Sequence, residues 1–250
     1  MTNLRGKQMP TDAVASIYTG SRACPTVDAA KNAIATLRHS ADELAHLKLD
    51  QELSNHFVTV FNQGILYLVW HQMFAIATRG IRLPYIPLCH VAPNSGKAVL
   101  TDKDSGTGHK DRLVYLPAEL IRHMEHGERI VVEVARRQFA VNGSATSAPL
   151  FFLNEEGHLS EITPQRIEDL CADFFPFPSN TPRRMMRFLL REGGLSAEMI
   201  EVFMGHWHER REPWGSFSSF NYAVYLSRLQ GIVPEILKSL GFKCPRRRGE

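Results

Sequence analysis

The chain has 250 residues, of which 44% are hydrophobic and 22% are charged, and its formal net charge is +3. This composition favours a folded protein with one sizeable core, and the mild positive charge permits a nucleic-acid partner without requiring one. The 4 cysteines form no Cys-x-x-Cys pair, and no apolar run reaches the roughly 20 residues that span a bilayer. We therefore exclude a disulfide framework, a zinc knuckle and a membrane span, and we expect a cytoplasmic protein without a signal peptide.

Apolar residues recur at helical spacing in the first third of the chain and alternate at strand spacing after it. Pro84 and Pro87 separate the two patterns, because proline ends a helix. The elements predicted for this part are a tail over 1–28, one helix over 27–47 with a break near Ser40 left open, a buried helix or helical hairpin over 50–77, and a hairpin of strands 97–101 and 111–116.

Prolines, glycines and capping residues divide the second half of the chain into short elements. Pro117 opens a helix that Gly127 ends, whereas Thr163 and Ser196 cap two further helices. The elements predicted here are helices over 117–126, 130–139, 164 onward, 184–191, 197–204 and 217–240 and a buried strand over 150–153. The last helix ends at Gly241, and a jog at Gly231 and Pro234 is left open. The sum is a mainly α protein with a small antiparallel sheet, an α+β fold.

Residues whose side chains could take part in catalysis lie in five segments, and the order of these segments along the chain is informative. Asn180-Thr-Pro-Arg183-Arg184 opens a helix that ends at Glu192-Gly-Gly194, and Met204-Gly205-His206 follows downstream. Three further segments lie upstream: Thr78-Arg-Gly-Ile-Arg82, Lys110-Asp-Arg-Leu-Val-Tyr-Leu-Pro117, and Phe151 to Gly157 followed by Thr163-Pro164. In this order they resemble the catalytic domain of the tyrosine recombinase (phage integrase) family, with its Thr-Gly-x-Arg segment, His-x-x-Arg-His box and Leu-Gly-His step, over about residues 50–240.

The resemblance implies an enzyme that cuts and rejoins DNA through a 3′-phosphotyrosine intermediate, without a metal or another cofactor. Arg82 and Arg183 would then hold the non-bridging oxygens of the scissile phosphate, because guanidinium groups are always charged and donate through a planar fork. His206 is assigned an acid–base or phosphate-contact role. Asn180 stands where the family has the first His of its box, and an amide can bond a phosphate oxygen but cannot relay a proton.

Two catalytic roles have two candidates each. The family lysine that protonates the leaving oxygen precedes the turn of its hairpin, which favours Lys103 over Lys110. The family tyrosine often follows the Gly-His step closely, but here an insert over 208–215 stretches the spacing. Tyr225 fits the integrase branches with a similar Gly-His-Trp…Glu-Pro-Trp insert, and Tyr222 stays the alternative, although either could be an ordinary core aromatic.

Further arginines beside the two boxes are candidate DNA contacts: Arg184, Arg187, Arg210 and Arg211. Arginines of this kind are more often solvated surface charges, so these assignments depend on the resemblance. The pairs His206/His208 and His123/His126 lack a third ligand at a telling spacing, so no metal is expected.

The resemblance also sets the expected organisation of the chain. Residues 1–49 are predicted to be an N-terminal tail or linker with one helix, 50–241 the catalytic domain and 242–250 a basic tail, so that the full core-binding domain would be absent. The expected partner is double-stranded DNA, bound at the nucleoid by a homo-oligomer, a tetramer on paired sites, as part of a mobile element. The alternatives left open are a catalytically impaired DNA-binding module of the same fold and a helical protein-interaction domain.

Overall fold

The computed structural model describes residues 25–47, 54–79, 84–92, 94–101, 111–139, 150–206, 213 and 218–245. This part of the chain is mainly helical and carries two small antiparallel sheets, which confirms the predicted α+β class at that level. Its elements in chain order are α1 Val27–Leu44, α2 Asn55–Ile76, a 3-10 turn Leu88–His90, β1 Val91–Ala92, β2 Lys97–Thr101, β3 Asp111–Tyr115, α3 Ala118–Phe139, β4 Phe152–Leu153, β5 Leu159–Ser160, α4 Pro164–Cys171, α5 Thr181–Glu192, α6 Ala197–Met204 and α7 Tyr222–Leu240.

Helix α2 is the centre of the molecule. It is one helix rather than a helical hairpin, and α1, α3, α4, α5 and α7 all pack against it. A helix that is apolar on every side is stable only when it is surrounded, and the polar residues of α2 are accordingly satisfied inside the protein. The Asn62 amide exchanges hydrogen bonds of 2.8 and 2.7 Å with the backbone of Leu153, and the Gln72 oxygen accepts from the Ile86 amide at 2.8 Å.

The predicted single helix is confirmed, and the alternative of a break near Ser40 is not, because α1 runs unbroken from Val27 to Leu44. Ser40 lies on the buried side of α1, and its hydroxyl donates to the Gln63 side chain of α2 at 2.6 Å. A serine paired in this way can stay inside a helix, since its hydroxyl does not compete for the local backbone. One hydrophobic core extends from Ala30 in α1 to Phe242 after α7.

The helix end predicted at Gly127 is also wrong. Helix α3 continues through Gly127 to Phe139, so the two helices expected on either side of this glycine are one. A Cβ atom at position 127 would stand 2.3 Å from Cδ2 of Leu68 in α2. The glycine therefore allows two helices to approach closely and does not end one.

The three-stranded sheet has the order β1-β2-β3, and β2 and β3 pair antiparallel as the predicted hairpin requires. Alternate residues of β3 are buried, which places Arg112 and Val114 on the inward face. Strand β3 packs against α6 and α7, so the sheet borders the helices that carry the motif residues. The tip of the hairpin lies outside the described residues.

The capping predictions in the second half are confirmed. The hydroxyls of Thr163 and Ser196 accept from the amides of Arg166 and Met199, and Gly241 ends α7 with φ at 93°. Helix α7 begins later than predicted, at Tyr222, and the residues 218–220 before it are not helical. No helix in the described ranges is long and apolar enough to cross a membrane.

Candidate active site

Helix α5 carries Arg183 on its inner side. The helix starts at Thr181-Pro182, where proline costs nothing because the first amides of a helix lack internal partners. The Arg183 side chain is turned inward, and the residue is only 8% exposed. Its Nη1 donates to the carbonyl of Ala77, and its Nη2 donates to the carbonyl of Met204. A buried guanidinium needs such acceptors, and here they fix the side chain between the ends of α2 and α6.

The backbone at Ala77 is the meeting point of this arrangement. Ala77 ends α2 in the left-handed conformation, with φ 48° and ψ 51°. That conformation costs about 1–2 kcal/mol for a residue with a Cβ, and in folded proteins it persists where the surroundings hold it. Here the Ala77 carbonyl accepts from Arg183 and also from Nη2 of Arg112 at 2.9 Å. The turn leads directly into Thr78, whose hydroxyl donates to the Pro84 carbonyl, and into half-buried Arg79.

Arg112 of β3 is a second buried arginine beside Arg183. It is 1% exposed, its Nη1 donates to the Phe203 carbonyl at 2.6 Å, and its guanidinium lies 5.9 Å from the centre of the Phe203 ring. Arg183 donates a hydrogen bond to the next carbonyl at the end of α6, that of Met204. The two arginines therefore join four elements, α2, β3, α5 and α6, at one place.

His206 follows the end of α6 and faces the same place. Gly205 adopts the left-handed conformation with φ at 65°, and the His206 amide donates back to the Glu201 carbonyl at 2.9 Å. Nε2 of His206 lies 3.3 Å from Nη2 of Arg183, and Nδ1 lies 3.1 Å from the carboxylate of Glu201. The imidazole is 38% exposed, so a ligand could reach it from solvent.

The positive charges of three arginines act on His206. Partial burial, followed by the charge of Arg183, lowers the pKa of His206, while the Glu201 carboxylate acts in the opposite direction. Arg79 and Arg187 also lower this pKa. Arg187 in turn donates to Glu201 at 2.5 Å. Several guanidinium groups near one point are suited to binding an oxyanion such as a phosphodiester.

Both candidate tyrosines lie at the start of α7 and are turned inward. Tyr225 is fully buried, its hydroxyl donates to the Leu113 carbonyl at 3.2 Å, and burial raises its pKa, an effect that the charge of Arg112 partly offsets. Tyr222 is less deeply placed, but its phenolic oxygen is buried and burial raises its pKa to about 12. The ring of Phe220 contacts both, with centroid distances of 5.5 and 5.4 Å.

The structure thus brings some predicted site residues together and leaves others apart or outside the described ranges. Arg183, His206 and Arg187 share one cluster, whereas the Tyr225 hydroxyl bonds to the carbonyl of Leu113, the residue after Arg112 in β3. Asn180 and Arg184 are exposed at the start of α5, and the Asn180 side chain makes no capping hydrogen bond. The predictions for Arg82, Lys103, Lys110, Arg210 and Arg211 lie outside the described residues.

Three cluster residues had no predicted role: Arg79, Arg112 and Glu201. Arg112 carried a usable signal, because the alternation of β3 puts it on the same face as Val114 and a charged residue on an inward face needs buried partners. The described residues contain no group of three or more side chains that could hold a metal ion.

Comparison with known proteins gives no match: no family model, no curated protein and no solved structure is significantly similar to this chain. The function proposed below therefore depends on the motifs and on the geometry of the cluster.

Proposed function

We propose that this chain carries the catalytic domain of a tyrosine-type DNA recombinase, which acts on double-stranded DNA as a homo-oligomer. The observation that carries the proposal is the 3.3 Å approach of Arg183 in α5 to the exposed imidazole of His206, a motif residue that follows α6. Arg79 and Arg187 add positive charge at the same ring. Such a cluster at the surface suits the phosphodiester backbone of DNA, which binds through its negative charge.

The proposed reaction exchanges one phosphate ester for another. A tyrosine oxygen bonds to the scissile phosphorus as the bond to the 5′ oxygen breaks; the tyrosine loses its proton and the leaving oxygen gains one. The arginines stabilise the negative charge that builds up on the non-bridging oxygens. We assign the second arginine of this clamp to Arg82 and the leaving-group proton to Lys103, with Lys110 as the alternative. Attack by a 5′ hydroxyl on the phosphotyrosine then reverses the step without ATP.

Tyr225 is the proposed nucleophile and Tyr222 the alternative. Both phenolic oxygens are buried in this conformation, so the start of α7 must shift before either can meet a phosphate. The same burial favours a second candidate function, a DNA-binding module of this kind that performs no chemistry. The exposed Asn180, which cannot relay a proton, points in the same direction.

Covalent capture of DNA separates the two functions. The probe is a pool of labelled duplexes with a randomised central sequence and one nick, because a nick lets the cleaved end diffuse away and traps the adduct. We expect the unmodified protein to form an adduct that survives denaturation, Tyr225→Phe to form none and Tyr222→Phe to retain it. Mass spectrometry of the digested adduct identifies the modified tyrosine.

Three other outcomes would contradict the catalytic proposal. An adduct that persists in the double Tyr222→Phe/Tyr225→Phe variant contradicts the mechanism. Binding of DNA without any adduct supports the non-catalytic module. Absence of DNA binding at low salt removes both functions.

A further inference from the structure

The contacts of His206 define which of its ring nitrogens carries a proton. Nδ1 lies 3.1 Å from Oε2 of Glu201, and an ionised carboxylate can only accept a hydrogen bond. Nε2 lies 3.3 Å from Nη2 of Arg183, and a guanidinium can only donate. The two neighbours therefore select the same tautomer from opposite sides of the ring, with the proton on Nδ1 and the lone pair on Nε2.

Glu201 is itself held in place. Its other oxygen, Oε1, accepts from Arg187 of α5 at 2.5 Å, and its own backbone carbonyl accepts from the His206 amide at 2.9 Å. The left-handed Gly205 turns the chain back so that the ring lies over the helix that carries Glu201. A carboxylate that orients an imidazole in this way fixes its tautomer and stabilises its protonated form.

We propose that Glu201 is a positioning residue for His206: it holds the imidazole with the lone pair on Nε2, beside the Arg183 guanidinium. The catalytic part of this inference rests on the proposed function. In that reaction the tyrosine must lose its proton, and Nε2 can take up a proton in place of the hydrogen bond that it accepts from Arg183. The resulting imidazolium would donate through Nε2 to the phosphate while Nδ1 stays bonded to Glu201.

Among the described residues, the charges that act on His206 come from α5, from α6 and from the segment after α2. Glu201 of α6 favours the protonated ring, whereas Arg183 and Arg187 of α5 and Arg79 after α2 disfavour it. Removal of the Glu201 charge therefore lowers the pKa of His206. Because an acceptor must be neutral, the acid limb of the pH–rate profile then moves to lower pH.

The test uses Glu201→Gln and Glu201→Leu, with Glu198→Gln as the matched control, because Glu198 is an exposed carboxylate in the first turn of the same helix. Gln keeps an acceptor for Nδ1 without the charge, and Leu removes both. We expect Glu201→Gln to retain adduct formation with its acid limb at lower pH. We expect Glu201→Leu to form adducts about tenfold to a hundredfold more slowly, and Glu198→Gln to match the unmodified protein.

Nitrogen-15 NMR of the histidine rings tests the tautomer without any DNA, with the His206 signals assigned by a His206→Asn variant. We expect the Nδ1–H form in the unmodified protein and in Glu201→Gln, and its loss in Glu201→Leu. A proton on Nε2 in the unmodified protein, or an acid limb that none of the Glu201 variants moves, would overturn the inference and leave the proposed function standing. If no adduct forms at any pH, the proposed function fails, and the ring spectrum alone decides the role of Glu201.

Discussion

His71 of α2 and His123 of α3 lie side by side in the core, with their Nδ1 atoms 3.1 Å apart. Both residues are 2% exposed, and the His71 ring stacks on Phe242 at a centroid distance of 4.6 Å. Burial lowers the pKa of His71 to about 3, and burial together with the charges of His71 and His126 lowers the pKa of His123. Neither ring is charged at neutral pH, so one Nδ1 donates and the other accepts.

This pair should make the protein sensitive to mild acid. The unfolded chain takes up these protons near pH 6.5 and the folded protein does not, so stability is complete above about pH 6.5 and falls towards pH 3. Each histidine contributes about 1.4 kcal/mol of unfolding free energy per pH unit in this window. Urea unfolding between pH 7 and pH 5 measures the slope. The double variant His71→Phe/His123→Phe should be much less pH-dependent than the exposed control His39→Gln, and equal slopes would contradict the assignment.

At the level of single residues the sequence predicted motif members but not their partners. Arg183 and His206 could be named because each stands in a short motif, and they do meet. Glu201 could not, because its contact with His206 depends on the left-handed turn at Gly205, and that conformation is settled only when the chain folds back. Arg112 could have been found from strand alternation, since it shares the inward face with buried residues.

At the level of elements, residues with one structural meaning were predictable and residues with two were not. The caps Thr163 and Ser196 mark helix starts as predicted, because a hydroxyl before a helical pattern has few other uses. Gly127 was misread, because glycine serves both to end helices and to let them approach, and only the contact with Leu68 decides between these. The start of α7 was placed too early because the aromatic residues before Asn221 continue its apolar pattern.

Two helical glycines provide a matched test of this distinction. A Cβ at Gly64 of α2 would stand 2.6 Å from Cδ2 and 3.3 Å from Cβ of Leu44 in α1, whereas a Cβ at exposed Gly231 of α7 meets nothing within 4 Å. We expect Gly64→Leu to lower the free energy of unfolding by about 1–3 kcal/mol through overpacking. We expect Gly231→Leu to raise it by about 0.5–1 kcal/mol, since leucine is the better helix former. Thermal melts compare the two; a stabilised Gly64→Leu would mean that α1 can move away.

At the scale of the whole molecule, the proposed partner is a polyanion, whereas the net charge is only +3. The affinity must therefore come from arginines gathered at one face, and each phosphate contact adds about −0.9 to the slope of log affinity against log salt. Arg184 is exposed at the start of α5, beside the cluster, whereas Arg122 is exposed on α3.

We expect Arg184→Ala to weaken binding to random duplex DNA and to make the slope shallower by about 1, and Arg122→Ala to leave the slope unchanged. Fluorescence anisotropy at several salt concentrations measures both variants. If both variants keep the slope of the unmodified protein, the DNA binds at another face of the protein.

The Ala77 carbonyl oxygen has two lone pairs, and a different arginine occupies each of them. Arg112 belongs to β3 of the hairpin and Arg183 to α5, so a single backbone oxygen connects these two elements. A displacement of β3 would act through Arg112 on the Ala77 carbonyl, and therefore on the hydrogen bond that this carbonyl accepts from Arg183. The position of the hairpin and the position of the Arg183 guanidinium are therefore linked through one atom.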